Sequence, residues 1–240
     1  MRRLVDSFSL IFSLVLVILS LSLVAGGDGA SGADPASGTN TVSGANTASG
    51  ADAAEANTAS GVNTVVMLGD SLTKGGQWSG LDDESVVLNY GVSGDGFNDI
   101  VLRMDEVIEA EPDMVFLQVG VNDLARLKTP QDIVEGHLAI WKILSLRLDC
   151  KIVVCSLTPV SRSMSGRRGY FDNRRIREVN ALLAEEAAEA GLDFVDLYAV
   201  FADQDQALPN HLTFDGIHLT PEAYDLWRAA LAPYFQRHIY

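Results

Sequence analysis

Cysteine is nearly absent from this chain: Cys150 and Cys155 are the two present. They flank a strand-like Lys-Ile-Val-Val run. A step of that length along a strand spans about 16 Å, whereas a disulfide holds its Cα atoms within about 7 Å. Both read as free thiols, with Cys155 a small core residue. No Cys-x-x-Cys pair occurs, and His137, His211, His218 and His238 show no zinc-binding spacing, so no metal or redox centre is expected. Basic residues are scarce as well: 17 Lys and Arg stand against 32 Asp and Glu, a net charge of −15. Such a surface repels phosphate backbones, which argues against a nucleic-acid partner. The phosphate-loop lysine motif is missing, and so is the Gly-x-Ser-x-Gly nucleophile elbow. The glycine-rich stretch Gly91-Val92-Ser93-Gly94-Asp95-Gly96 does not match the dinucleotide pattern Gly-x-Gly-x-x-Gly. No cofactor is expected.

Three regions of different character follow one another along the 240 residues. In 1–26, Arg2 and Arg3 precede an apolar run from Phe8 to Ala25, closed by small residues. This is the pattern of a secretory signal, with a retained membrane anchor as the alternative. Either implies export, to the periplasm, the cell surface or the medium. Residues 27–62 form a degenerate repeat with Ser-Gly pairs at Ser31, Ser37, Ser43 and Ser49. Nothing there offers a large aromatic to bury, so it reads as a flexible linker. It carries many Ser and Thr, but no Asn-x-Ser/Thr sequon occurs in the chain. Residues 63–240 are long enough for one sizeable core.

Within that region, short apolar runs alternate with helical patterns. Thr64–Leu68, Val86–Tyr90, Met114–Val119, Ile152–Ser156 and Asp193–Leu197 are too short and too continuously apolar for amphipathic helices. They suit strands covered on both faces. Thr129-Pro130 reads as an N-cap followed by proline at the first helical position, with Val134, Leu138, Trp141 and Leu144 as the apolar stripe. Ile176, Val179, Leu183 and Ala187 mark a second helix that Gly191 ends. Thr220-Pro221-Glu222 starts a third, carrying Tyr224, Trp227, Leu231 and Tyr234. The alternation predicts an α/β fold: a doubly wound three-layer sandwich around a central, mainly parallel five-stranded sheet of flavodoxin-like type. In such sheets sites form past the C-terminal ends of strands.

Four motifs fall at those ends. Gly69-Asp70-Ser71-Leu72 follows the first strand, and Gly91 to Asp95 follows the second. Gly120-Val121-Asn122-Asp123 follows the third, and Asp215-Gly216-Ile217-His218 precedes the last helix. A serine hydroxyl needs a base within hydrogen-bond reach to act as a nucleophile. His218 can take the proton of Ser71, and Asp215, three residues earlier, can fix its tautomer and stabilise its charge. Asp70 reads as a buried brace, and Asp123 as a brace of its own loop. His211 lacks a carboxylate three residues before it and is a poor competitor as base.

Taken in order, these motifs resemble the SGNH hydrolase family of GDSL-type esterases and lipases, over nearly the whole globular region. The resemblance implies a serine ester hydrolase with Ser71, Asp215 and His218 as catalytic residues. It also implies an oxyanion hole made by the backbone N–H groups of Ser71 and Gly94 and the side-chain amide of Asn122, each donor worth roughly 3–4 kcal/mol. Glycine at 94 would let a backbone donor approach the substrate closely. Small acyl esters are the implied substrates. Export and a tether favour O-acetyl groups on carbohydrate, with a lysophospholipase, a short-chain thioesterase or a non-catalytic glycan-binding module as rivals. Arg162, Arg167 and Arg168 form a basic cluster that either clamps an anionic group or pairs with surface acids. Trp78 either stacks on a sugar ring or packs.

Overall fold

Strands covered on both faces should send alternate side chains into two separate cores, and that is the arrangement found. The structure, a computed structural model, describes residues 63–166 and 171–235. The expected signal (1–26), the linker (27–62), Arg167 and Arg168 lie outside them. Five strands form one sheet: β1 (Asn63–Gly69), β2 (Ser85–Gly91), β3 (Met114–Gln118), β4 (Lys151–Cys155) and β5 (Asp193–Val195). Every neighbouring pair is parallel, in the order β2-β1-β3-β4-β5. Val66, Leu68, Val115, Leu117, Ile152 and Val154 enter one core. Their strand neighbours Val65, Met67, Met114, Phe116, Val153 and Cys155 enter the other.

Helices cover both faces, giving the expected three layers. α1 (Ser71–Lys74), α2 (Phe97–Leu102), α3 (Met104–Glu109) and α4 (Val121–Ala125) are short. α5 (Pro130–Arg147) and α6 (Asn173–Ala190) pack on each other, and α7 (Leu197–Phe201) packs on the last helix, α8 (Pro221–Phe235). Their ends are those the sequence signals. Thr129 and Asp132 cap α5 reciprocally with Pro130 at its start, and Gly191, at φ 70°, ends α6. Cys150 and Cys155 are free thiols, the second fully buried.

Two expectations need correction. β5 stops at Val195, not at 197, because the Asp196 carboxylate accepts from Ala199 N and starts α7 there. In α5 the buried stripe is Ile133, Val134, His137, Ile140, Trp141 and Leu144, while Leu138 is only half-buried. His137 is 0% exposed, and its Nε2 hydrogen-bonds the Val119 carbonyl at 2.9 Å, so Nε2 carries the proton. Among the described residues no helix is long and apolar enough to cross a membrane.

Burial holds the His137 imidazole down at about 4, against the opposing pull of its bond to Val119. A depressed histidine contributes stability that is present above its ordinary value of 6.5 and is lost as pH falls through about 4. His137→Gln should therefore be less stable than wild type at pH 7.5, with the gap narrowing as pH falls from 6.5 towards 4. Urea unfolding midpoints across that range check it.

Candidate active site

β1 lies second in the sheet, flanked by β2 and β3 where the strand order reverses, and the loops after all three parallel strands leave from one edge. The Asp70 carboxylate accepts from Leu72 N at 2.9 Å and starts α1, which makes Ser71 the first helical residue. Its backbone N–H is thus among those a helix start leaves without an intrahelical partner. Ser71 Oγ lies 3.0 Å from His218 Nε2, although 147 residues separate them. His218 Nδ1 donates to Asp215 Oδ2 at 2.7 Å. The imidazole tautomer with its proton on Nδ1 leaves Nε2 free to accept from the serine.

The loop that carries Asp215 and His218 is held by its own hydrogen bonds. Thr213 and Leu219 form an antiparallel bridge, and Phe214 N donates to His218 O at 3.0 Å. Thr213 Oγ1 donates to His218 O and accepts from Gly216 N, both at 2.8 Å. Asp215 Oδ1 accepts the backbone N–H of Ile217 and of His218, at 2.9 and 2.8 Å. Partial burial pushes the Asp215 carboxyl up, but the His218 ring and these two N–H groups outweigh it and hold it below the usual 3.8. Asp215 is therefore an anion at neutral pH, oriented on its histidine.

Gly94 and Asn122 follow the C-terminal ends of β2 and β3, the strands on either side of β1. Asn122 Nδ2 donates to Asp95 O at 2.9 Å, which fixes the amide and commits one of its two hydrogens. Gly94 has φ 89°, and a Cβ there would meet nothing within 4 Å. Left-handed backbone, rather than crowding by the protein, is what calls for glycine at this position. Two arginines that carry no sequence motif clamp this loop. Arg103 is nearly buried and pairs with Asp95 through Nε at 2.7 Å. It also donates to the carbonyls of Gly69 and Tyr90, at the ends of β1 and β2. Arg126 donates to the Gly94 carbonyl at 2.8 Å and to Asp99 at 2.9 Å. Asp123 takes its own backbone N–H and also reaches across to Phe97 N at 3.2 Å, bracing the neighbouring loop as well as its own. Sequence reading passed over both arginines. The spacing of Asp95, Asp99, Arg103 and Arg126 around a glycine-rich loop was the only signal available.

Asp70 is fully buried, with Oδ2 unpartnered. Burial pushes its carboxyl up to about 7; the Leu72 N–H opposes this and the charge of Asp123 adds to it. Asp123 is itself raised to about 6, again chiefly by burial.

Other candidates are placed elsewhere. Trp78 is 3% exposed, its indole N–H donates to Thr73 O, and it packs edge-on against Tyr224 and Trp227. It packs, and has no face to offer a sugar. Arg162 forms an exposed ion pair with Asp205, and Arg174 one with Asp172. His211 is exposed, on a single 3-10 turn. Among the described residues no cluster of His, Cys, Asp and Glu could hold a metal ion. Sequence reading also missed Phe214, a large apolar residue beside Asp215 that is 73% exposed.

The fold and this loop edge define an α/β acylhydrolase. The sequence model of the GDSL-like Lipase/Acylhydrolase family matches residues 67–226, and the chain belongs to that family. Human platelet-activating factor acetylhydrolase IB subunit alpha1 is 28% identical over 171 residues, covering 67% of this chain and 70% of that protein. A GDSL-like lipase of Bacteroides thetaiotaomicron superposes with a TM-score of 0.65 at 22% identity, over 79% of this chain and 96% of the other. An acetyl-xylooligosaccharide esterase from Geobacillus superposes with a TM-score of 0.58 at 17% identity, over 71% of this chain and 93% of the other.

Two outcomes follow. A carboxyl raised from 3.8 to about 7 contributes stability that is complete below 3.8 and is lost as pH rises through about 7. Asp70→Asn keeps an oxygen for the Leu72 cap, so it should gain on wild type as pH rises from about 4 to about 7 and hold a constant gap above that. Denaturant midpoints across pH 4–9 check this. Arg126→Ala should lower kcat for ester hydrolysis by about ten- to hundredfold with little change in KM, since a small displacement of the Gly94 loop misplaces a donor. Arg126→Lys should recover part of the loss in steady-state assays.

Proposed function

We propose that this chain is an exported serine carboxylic-ester hydrolase that works through an acyl-enzyme on Ser71. The observation that carries the reading is the unbroken hydrogen-bond line from Ser71 Oγ through His218 to Asp215. In the proposed reaction Ser71 Oγ attacks the ester carbonyl carbon, and its proton passes to His218 Nε2. The carbonyl electron pair moves onto oxygen, where the N–H groups of Ser71 and Gly94 and the free hydrogen of the Asn122 amide receive it. Collapse expels the alcohol oxygen, which takes the proton from His218. Water, deprotonated by the same imidazole, attacks the acyl-enzyme. The carboxylic acid leaves and Ser71 regains its proton. Asp215 stays ionised throughout and stabilises the imidazolium. The chemistry calls on no group beyond these side chains.

Short acyl esters of carbohydrate, acetyl above all, are the proposed substrates. Support comes from the acetyl-releasing names of two of the proteins it resembles, one acting on an acetylated xylooligosaccharide. The N-terminal pattern of Arg2, Arg3 and the Phe8–Ala25 apolar run supports export, by a cleaved signal or a membrane anchor, and an extracellular glycan suits that location. No nucleic acid is proposed as a partner, given the charge of −15.

Ser71→Ala and His218→Ala should each lose nearly all hydrolysis of p-nitrophenyl acetate and of an acetylated sugar. Asp215→Asn should drop kcat by about 10⁴-fold and Asn122→Ala by about 10²–10³-fold. A fluorophosphonate probe should label wild type and leave Ser71→Ala unlabelled. Well-folded wild type that neither labels nor turns over ester would instead be a glycan-binding module on a hydrolase fold.

A further inference from the structure

Beside the Ser71–His218 pair lies an open groove of about 290 Å³ that none of the motifs announces. Ser71 and His218 both line it, while Gly94 and Asn122 are not among its lining residues. Its other walls are Gly75, Leu219, Pro221, Tyr224 and Phe214, so among the described residues His218 is the only ionisable side chain there besides the tyrosine. The Tyr224 wall is fixed. Its hydroxyl donates to Leu72 O at 2.8 Å, its ring stacks on Trp227, and burial pushes its ionisation up out of the working range. Gly75 makes room for it, because a Cβ at that position would stand 2.3 Å from the Tyr224 hydroxyl. Phe214 is different. Its ring is 73% exposed, yet its backbone belongs to the short bridged loop that also holds Asp215 and His218. The aromatic ring is thus carried on a backbone position set relative to the His218 imidazole.

Resting on the acyl-enzyme reading above, we infer that this groove seats the alcohol part of the ester, and that Phe214 is the specificity-determining residue, presenting its ring to the apolar C–H face of a pyranose. The assignment of the alcohol follows from proton traffic. The tetrahedral carbon on Ser71 bears an oxyanion, an acyl chain and the alkoxy oxygen. The oxyanion points to Gly94 and Asn122. The alkoxy oxygen must lie against His218 Nε2, which protonates it on departure. His218 lines the groove, so the group attached to that oxygen extends into it. The chemistry of the walls selects the class: aromatic and aliphatic surface, with no cation among the described lining residues, favours an uncharged ring over an anionic headgroup. A space of this size, near the lower end for ligand pockets, holds about one ring rather than a long chain.

The test compares kcat/KM on four esters in wild type, Phe214→Ala, Phe214→Tyr and Ser71→Ala. The esters are an O-acetylated methyl pyranoside, its butyryl analogue, ethyl acetate and octyl acetate. Phe214→Ala should lower the preference for the acetylated pyranoside over ethyl acetate by about three- to tenfold, mainly through KM. Phe214→Tyr should restore it. The acetyl-to-butyryl ratio should stay as in wild type. The assignment is overturned if the pyranoside preference survives in Phe214→Ala, if the change follows acyl length, or if it falls on octyl acetate instead of the sugar. Ser71→Ala separates the two readings. Activity surviving there removes the acyl-enzyme, whereas an inactive Ser71→Ala with an unaltered Phe214→Ala removes only the groove assignment.

Discussion

A single hydrogen bond, from the hydroxyl at the end of the first strand to an imidazole just before the last helix, is the constraint on which the site depends. A parallel sheet makes it possible. All five strands deliver their C-terminal ends to one edge, so residues distant in sequence arrive at a common line of loops. The crossing order places β1 between β2 and β3, which brings Ser71, Gly94 and Asn122 to neighbouring strand ends. The histidine comes from neither sheet nor long helix. Its position is set by a bridged loop whose backbone bonds leave little freedom to the two side chains it carries.

Around this line the charges divide into two groups. Arginines hold the Gly94–Asp95 loop: Arg103 ties Asp95 to the ends of β1 and β2, and Arg126 holds the Gly94 carbonyl and Asp99. Asp70, next to Ser71 in the chain, and Asp123, near enough to Asp70 to act on it electrostatically, are both shifted upward chiefly by burial. An uncompensated anion next to Ser71 would oppose the negative charge that develops on the substrate oxygen. A carboxyl that tends to keep its proton there limits that repulsion while its other oxygen still caps α1.

Much of this was legible in the sequence, for identifiable reasons. β1, β3 and β4 were visible because each is buried on both faces and reads as an apolar run, while the edge strands β2 and β5 are only partly buried and showed through shorter apolar stretches. The long helices were visible because Thr129, Pro130 and Gly191 mark their ends. α2, α3 and α4, of six residues or fewer, are too short to show a helical period. The acid, base and nucleophile could be paired because their chemistry restricts the residue types. What escaped was long-range packing. Trp78 stands seven positions from Ser71, but its surroundings are Tyr224 and Trp227, from the far end of the chain. The flagged arginines lay after β4, whereas the clamp on the site came from Arg103 and Arg126. Nothing local distinguishes an arginine that will meet a glycine carbonyl from one that will meet solvent.

The Tyr224 hydroxyl, bonded to Leu72 O across 152 positions, stitches α8 onto the turn that bears the nucleophile. Residues from the opening strand and from the closing helix must therefore both be in place before the centre exists. On a ribosome, the emerging polypeptide holds a serine with no base beside it. Any fragment ending before Asp215 therefore carries Ser71 without the imidazole and carboxylate that meet it in the folded protein.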